Sequence, residues 1–211
     1  MYVPAHFAET DEAKIIATLR AHSFATLVTF DGAHPFASHV PLILRPERGP
    51  RGVLLGHIAR ANPQWRHFGQ GPEALAIFTG PHAYISPSWY PSPNMVPTWN
   101  YVAVHVYGIP RIVDDPAAFA EIFRLTVEEY ESGRPTPWRE ELPVEHKAAM
   151  MKAIVGFEIE ISRVEAKFKL SQNRRPEDIA GAIAALSQSE NQTERELAAL
   201  MKSPYEQARQ R

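Results

Sequence analysis

The chain has 211 residues, 45% hydrophobic and 22% charged, enough to bury one sizeable core without help from a metal or a disulfide. It contains no cysteine, which excludes disulfides, thiolate zinc sites, iron–sulfur clusters and cysteine nucleophiles. A net charge of -2 gives no general attraction to phosphate backbones, and no apolar run suits a membrane span or a signal peptide, so a cytoplasmic protein with no membrane partner is expected.

Thr10, followed by Asp11 and Glu12, reads as a helix cap with acids in the first turn, and Ile15, Ile16 and Leu19 then recur on one face. From Phe24 to Phe30 the β-rich run FATLVTF meets Asp31-Gly32 and a second run reaching Leu44, which together predict a hairpin with edges or bulges at Pro35 and Pro41. After a polar loop over 45–52, VLLGHI (53–58) is a strand, and Asn62-Pro63 opens a helix. ALAIF (74–78) is another strand, followed by a proline-rich ordered loop between Gly80 and Pro97. In TWNYVAVHVYG (98–108), Val102, Val104 and Val106 alternate with Tyr101, His105 and Tyr107, the period of a strand with two differently used faces. Asp115-Pro116 starts a helix carrying Phe119, Ile122, Phe123 and Val127, and a second helical piece follows Pro143. The strand pattern returns over 156–170, and two helical patterns, 179–186 and 193–201, close the chain. Hairpin-like strands with peripheral helices favour α+β or a β-barrel over a doubly wound sheet.

Four places could carry chemistry. In GHIARANPQW (56–65), a strand ends at His57, passes Arg60 and enters a helix at Asn62, an arrangement suited to a phosphate through helix N–H groups and a guanidinium; the plain alternative is a capped helix with a solvated arginine. Tyr84, Trp89, Tyr90, Trp99, Tyr101 and Tyr107 form an aromatic set that could hold a flat cofactor or fill a core and an interface. None of the nine histidines has a recognised metal-ligand spacing, leaving His57, His82 and His105 as haem or flavin contacts or as ordinary hydrogen-bonded residues. In KFKLSQNR (167–174), Lys167, Lys169 and Arg174 with Ser171, Gln172 and Asn173 could clamp an anion or form a solvated strand end. The sequence has no nucleophile elbow, Walker loop or GxGxxG fingerprint.

Taken in order, MYVPAHF (1–7), GHIARANPQW, FTGPHAYISPSWY (78–90), VPTWNYVAVHVYG (96–108) and KFKLSQNR resemble the PaiB-like family of FMN-binding negative transcriptional regulators. The resemblance implies an α+β fold: an FMN-binding split β-barrel with peripheral helices and a helical C-terminal tail. It implies a barrel domain over 1–174, a helical extension over 175–211 packed on it, and a homodimer with two FMN sites at the subunit interface. It assigns Ser38, His39, Val40, His57, Ile58, Ala59, Arg60 and Asn62 to the flavin, with Trp99, Asn100, Tyr101, Lys169, Ser171 and Gln172 contributed by the other subunit. A shared site is natural at a two-fold interface, where every contribution is repeated by symmetry.

The implied role is repression of genes, which makes DNA a possible partner. The tail after residue 173 balances six basic residues (Arg174, Arg175, Arg195, Lys202, Arg209, Arg211) against six acidic ones and is no obvious DNA-binding arm. The alternative is a flavin-dependent oxidoreductase of the pyridoxamine-phosphate-oxidase or flavin-reductase type, and a second alternative is a haem-binding split barrel.

Overall fold

The computed structural model describes residues 1–69 and 71–209. The first helix, α1 (Glu12–Ala21), is capped one residue later than Thr10: Asp11 Oδ1 accepts from the backbone N–H of Ala13 at 3.0 Å and of Lys14 at 3.4 Å. A carboxylate takes these orphan donors more strongly than a hydroxyl would, and it sits at the positive end of the helix. Strands β1 (Phe24–Phe30) and β2 (Pro35–Pro41) form the expected antiparallel hairpin, paired from Phe24↔Pro41 to Phe30↔Pro35. At its turn Asp31 Oδ1 accepts from Ala33 and His34, and Gly32 takes a φ of 100°.

The second run of the predicted hairpin does not continue to Leu44. It breaks at Leu42, and β3 (Ile43–Arg45) pairs instead with β4 (Val53–Ala59), which pairs with β7 (Ile154–Lys169). With β5 (Ala74–Ile85) and β6 (Thr98–Ile112) the sheet order is β2-β1-β5-β6-β7-β4-β3. Its two outermost strands are therefore consecutive in the chain and joined through one residue, whose reach is only about 7 Å. A sheet whose edges are so tied must curl round on itself, which is the physical content of a split barrel. Leu42 is fully buried at this closure, and Gly56 of β4 makes room for it, since a Cβ there would stand 2.8 Å from Leu42 Cδ2 and 2.9 Å from the Phe157 ring.

β5 runs further than the expected five residues and includes Pro81. On the β1 side the missing N–H costs nothing, because among the described residues β1 pairs with β5 from Leu75 to Ile77, short of Pro81. The proline-rich loop thus starts after Ile85 and contains a short 3-10 turn, Pro87–Trp89. Helix α2 (Pro116–Glu131) begins where Asp115 accepts from Ala118 N–H at 2.8 Å. Its Ile122 and Leu125 pack with Ile43, Val53 and Leu55, and Phe119 lies against Gly156, where a Cβ would come within 2.3 Å of the ring. Helix α3 (Val144–Lys152) leads into β7, and α4 (Pro176–Ser187) and α5 (Gln192–Arg209) form the tail. Arg211, counted above in the tail, lies outside the described residues, as does the side chain of Arg209.

Two compact units emerge from the contacts. One comprises residues 1–15, 79–104 and the chain from 165 onward; the other comprises 16–78 and 105–164. In the first, the helical tail is held by buried Asp178, which accepts from Ser92 N–H and Oγ at 3.1 and 2.8 Å, and by Gly181 lying under the Trp89 carbonyl. The second holds the α2 cluster and the Leu42 closure. Among the described residues no helix is long and apolar enough to cross a membrane.

Candidate functional site

In the unit of residues 16–78 and 105–164, the end of β4 is tied to the end of α3. Arg60 N–H donates to Ala153 O at 2.8 Å, its Nε to Lys152 O at 2.8 Å and its Nη2 to Ile154 O at 3.0 Å. Helix C-termini leave carbonyls without partners and carry partial negative charge, and a guanidinium answers both. Asn62 then connects β2 to the following turn: its Oδ1 accepts from Gln64 N–H at 3.0 Å and its Nδ2 donates to Ser38 Oγ at 2.8 Å. His39 stands beside Ser38, exposed, with Nδ1 3.1 Å from Thr26 Oγ1 and its ring stacked on Phe24. Val40 and Ile58 are buried, and Ala59 is exposed.

The segment after Asn62 is a 3-10 turn, Pro63–His67, and not the expected α-helix. The free first-turn N–H groups imagined for a phosphate are too few, and the Asn62 side chain uses one of them. Positive charge at this corner comes from Arg60. A residue that sequence reasoning missed explains the short turn. Gln64 is wholly buried, and its Nε2 donates to Leu27 O at 2.9 Å, Thr29 Oγ1 at 3.1 Å and Phe36 O at 3.2 Å, pinning the turn beneath β1 and β2. A glutamine where periodicity asks for an apolar residue was the only signal available.

His57 is half-buried on β4, and burial pushes its imidazole below the ordinary value of about 6.5. The unfolded chain therefore binds the proton at higher pH than the folded one. Stability is full above pH of about 6.5 and falls as pH drops toward the lowered folded value. Thermal melts between pH 8 and pH 5 should show a decline below about 6.5 that His57→Gln reduces; identical pH profiles for the two proteins would refute this.

In the other unit, β6 and the end of β7 bring the second set together. Asn100, with no exposure, donates from Nδ2 to Ser171 Oγ at 2.8 Å. Lys169 Nζ bonds Thr98 Oγ1, and Lys167 Nζ lies 5.1 Å from the Tyr101 ring centre while donating to Tyr2 O. Gln172 folds back, accepting from Leu170 N–H at 2.7 Å and donating to Phe168 O. Trp99 is exposed and meets His82 and Tyr84, both at 6.2 Å between ring centres. Of the remaining aromatic residues named from sequence, Tyr90 is buried beneath the Arg174 guanidinium, and Tyr107 lies under that of Arg163. The three histidines considered for haem lie on three strands, His57 on β4, His82 on β5 and His105 on β6. Among the described residues no cluster of histidine and carboxylate side chains could hold a metal ion.

The electrostatics of this second set point to an anion. Lys167, Lys169 and Arg174 are grouped, and among the described residues none of them pairs with a carboxylate. Burial first, then the charges of Lys167 and Arg174, hold the Lys169 ammonium below the usual lysine range. A group of partly desolvated cations, Lys167 buried and Lys169 and Arg174 half-buried, is stabilised by something negative placed beside it.

The family described as "Putative FMN-binding domain" matches residues 1–163. The chain belongs to this family. Its cofactor is FMN. A relative from Bacillus subtilis, protease synthase and sporulation protein PAI 2, is 39% identical over 203 residues, covering 95% of this chain and 96% of that protein. An uncharacterized protein of Emericella nidulans is 31% identical, covering 87% of this chain and 89% of its own length. Among solved structures, a flavocytochrome from Azotobacter vinelandii has a TM-score of 0.59 at 15% identity, covering 79% of this chain and 72% of its own. The FAD and heme binding protein from Mycobacterium smegmatis also scores 0.59, at 18% identity, covering 82% and 78%. At such identities these two establish the fold, which is the split barrel expected of the FMN-binding family.

Proposed function

We propose that this chain is a cytoplasmic homodimer that binds FMN at its subunit interface and acts as a negative transcriptional regulator. Each site draws on Ser38, His39, Val40, His57, Ile58, Ala59, Arg60 and Asn62 of one subunit, and on Trp99, Asn100, Tyr101, Lys169, Ser171 and Gln172 of the other. The observation that carries the flavin site is the group of cations around Lys169, which among the described residues has no carboxylate to neutralise it. A phosphate monoester is a compact dianion, and Lys169 and Arg60 offer the charge-assisted donors it takes. His57, kept neutral by burial, can share a proton with a polar edge of the flavin without adding charge. Bound flavin would supply redox or sensing chemistry, while the residues orient it and exclude water. The regulatory role rests on the resemblance to the PaiB-like family of negative transcriptional regulators.

The test combines an absorbance spectrum of the purified protein, an FMN titration with light scattering for mass, and gel shifts on its own upstream DNA over a salt series. A flavin spectrum, a dimer mass and a specific complex that weakens with salt are expected. Arg60→Ala should weaken FMN about tenfold, equivalent to about 1.4 kcal/mol. Unchanged affinity with a lowered Tm would make Arg60 a brace for α3 only. A flavin-loaded dimer that binds no DNA at low salt and is reoxidised by a small acceptor would replace the regulator with the oxidoreductase.

A further inference from the structure

Ser171 is a serine held at a φ of 66°, in the left-handed region where a side chain is strained, and it is buried. Such a conformation persists only where its surroundings impose it, and here the imposing group is identifiable. Asn100 Nδ2 grips Ser171 Oγ at 2.8 Å and faces Met201 Sδ of α5 at 3.6 Å. Asn100 and Met201 have no exposure at all, and Asn100 Oδ1 has no hydrogen-bond partner among the described residues. A buried amide that leaves its acceptor unsatisfied is a poor stabiliser, so what it holds matters more than what it contributes. It holds the corner from which Lys169, Gln172 and Arg174 issue, in a chain segment beyond the 1–163 that the family match covers.

We infer that Asn100 and Met201 are positioning residues, through which helix α5 fixes the left-handed corner at Ser171 and so the cationic cradle for the flavin phosphate. Met201 acts through Asn100, and Asn100 through Ser171. Asn100 acts as a clamp on Ser171, and the thioether, a weak but polarizable acceptor, occupies the second N–H of that clamp. The tail helix is thereby part of the cofactor site without touching it. This rests on the FMN reading above.

Glycine adopts the left-handed region at no cost, so it should free the corner from its clamp. The experiment measures FMN Kd by flavin fluorescence, the visible circular dichroism of bound flavin, and Tm, for full-length wild type, Asn100→Ala, Ser171→Gly and the double variant. Asn100→Ala should bind FMN at least tenfold more weakly with altered flavin dichroism. Adding Ser171→Gly should recover most of that affinity while Tm stays low, a separation that lost packing alone cannot produce. If Asn100→Ala fails to fold, Met201→Leu, alone and with Ser171→Gly, makes the same comparison with the volume of the core kept. Wild-type affinity in Asn100→Ala (or, where it fails to fold, in Met201→Leu), or no recovery when Ser171→Gly is added, overturns the inference. Wild type that takes up no FMN overturns the flavin reading itself and this inference with it.

Discussion

Lys169→Met is expected to weaken FMN binding by roughly 30- to 150-fold while leaving Tm unchanged or raised. The first half follows from removing one charge-assisted contact to a phosphate, about 2–3 kcal/mol in free energy. The second half follows from what surrounds the ammonium. Lys169 is partly desolvated and repelled by Lys167 and Arg174, and it donates a hydrogen bond to the Thr98 hydroxyl. A methionine of similar length keeps the stem packed and relieves that repulsion. Opposite movements of affinity and stability are the mark of a group kept for a ligand. A titration beside a thermal melt decides it: a fall in Tm with unchanged Kd would assign Lys169 to the scaffold.

Gly108→Ala is expected to destabilise the fold by about 3 kcal/mol or more, lowering Tm by roughly 6–12 °C. A Cβ at this β6 position would stand 2.2 Å from the carbonyl oxygen of Glu160 and 2.6 Å from Ile159 Cγ2. The first of these neighbours is backbone, so no rotamer change relieves the collision, and β6 must move away from β7. Gly133→Ala is the matched control, because nothing lies within 4 Å of its added methyl, and its effect should stay within about 0.5 kcal/mol. Equal melting curves for the two variants would show that β6 and β7 do not approach as described.

Most of the elements were legible because their signals are local. Val102, Val104 and Val106 announce β6 by alternation, and Asp115-Pro116 announces α2 by capping chemistry. Leu42 was only half legible: Pro41 beside it marks an edge or bulge, but nothing within the run from Pro35 to Leu44 says that the chain changes its partner there. That choice is made by β7, far along the chain. The turn at Asn62 was misread for a related reason: Asn-Pro opens α-helices and 3-10 turns alike, and the burial of Gln64 decides between them. At the site, sequence named Lys167, Lys169 and Arg174 as a clamp, but that they have no carboxylate partner among the described residues is a property of space. Asn100 was named as a flavin contact on resemblance alone, and its link to Met201 joins positions no motif connects.

The single-residue link at Leu42 also dictates an order of events. The β1–β2 hairpin can form as soon as it leaves the ribosome, but β3 and β4 must wait for β7 before they have a neighbour on their inner side. Until then the edges of both hairpins lie open, and loop closure over most of the chain precedes the reward of pairing. Folding should therefore be slow and aggregation-prone in its middle stages, with the apolar strands around Leu54 and Leu55 the segment most in need of protection while synthesis is unfinished.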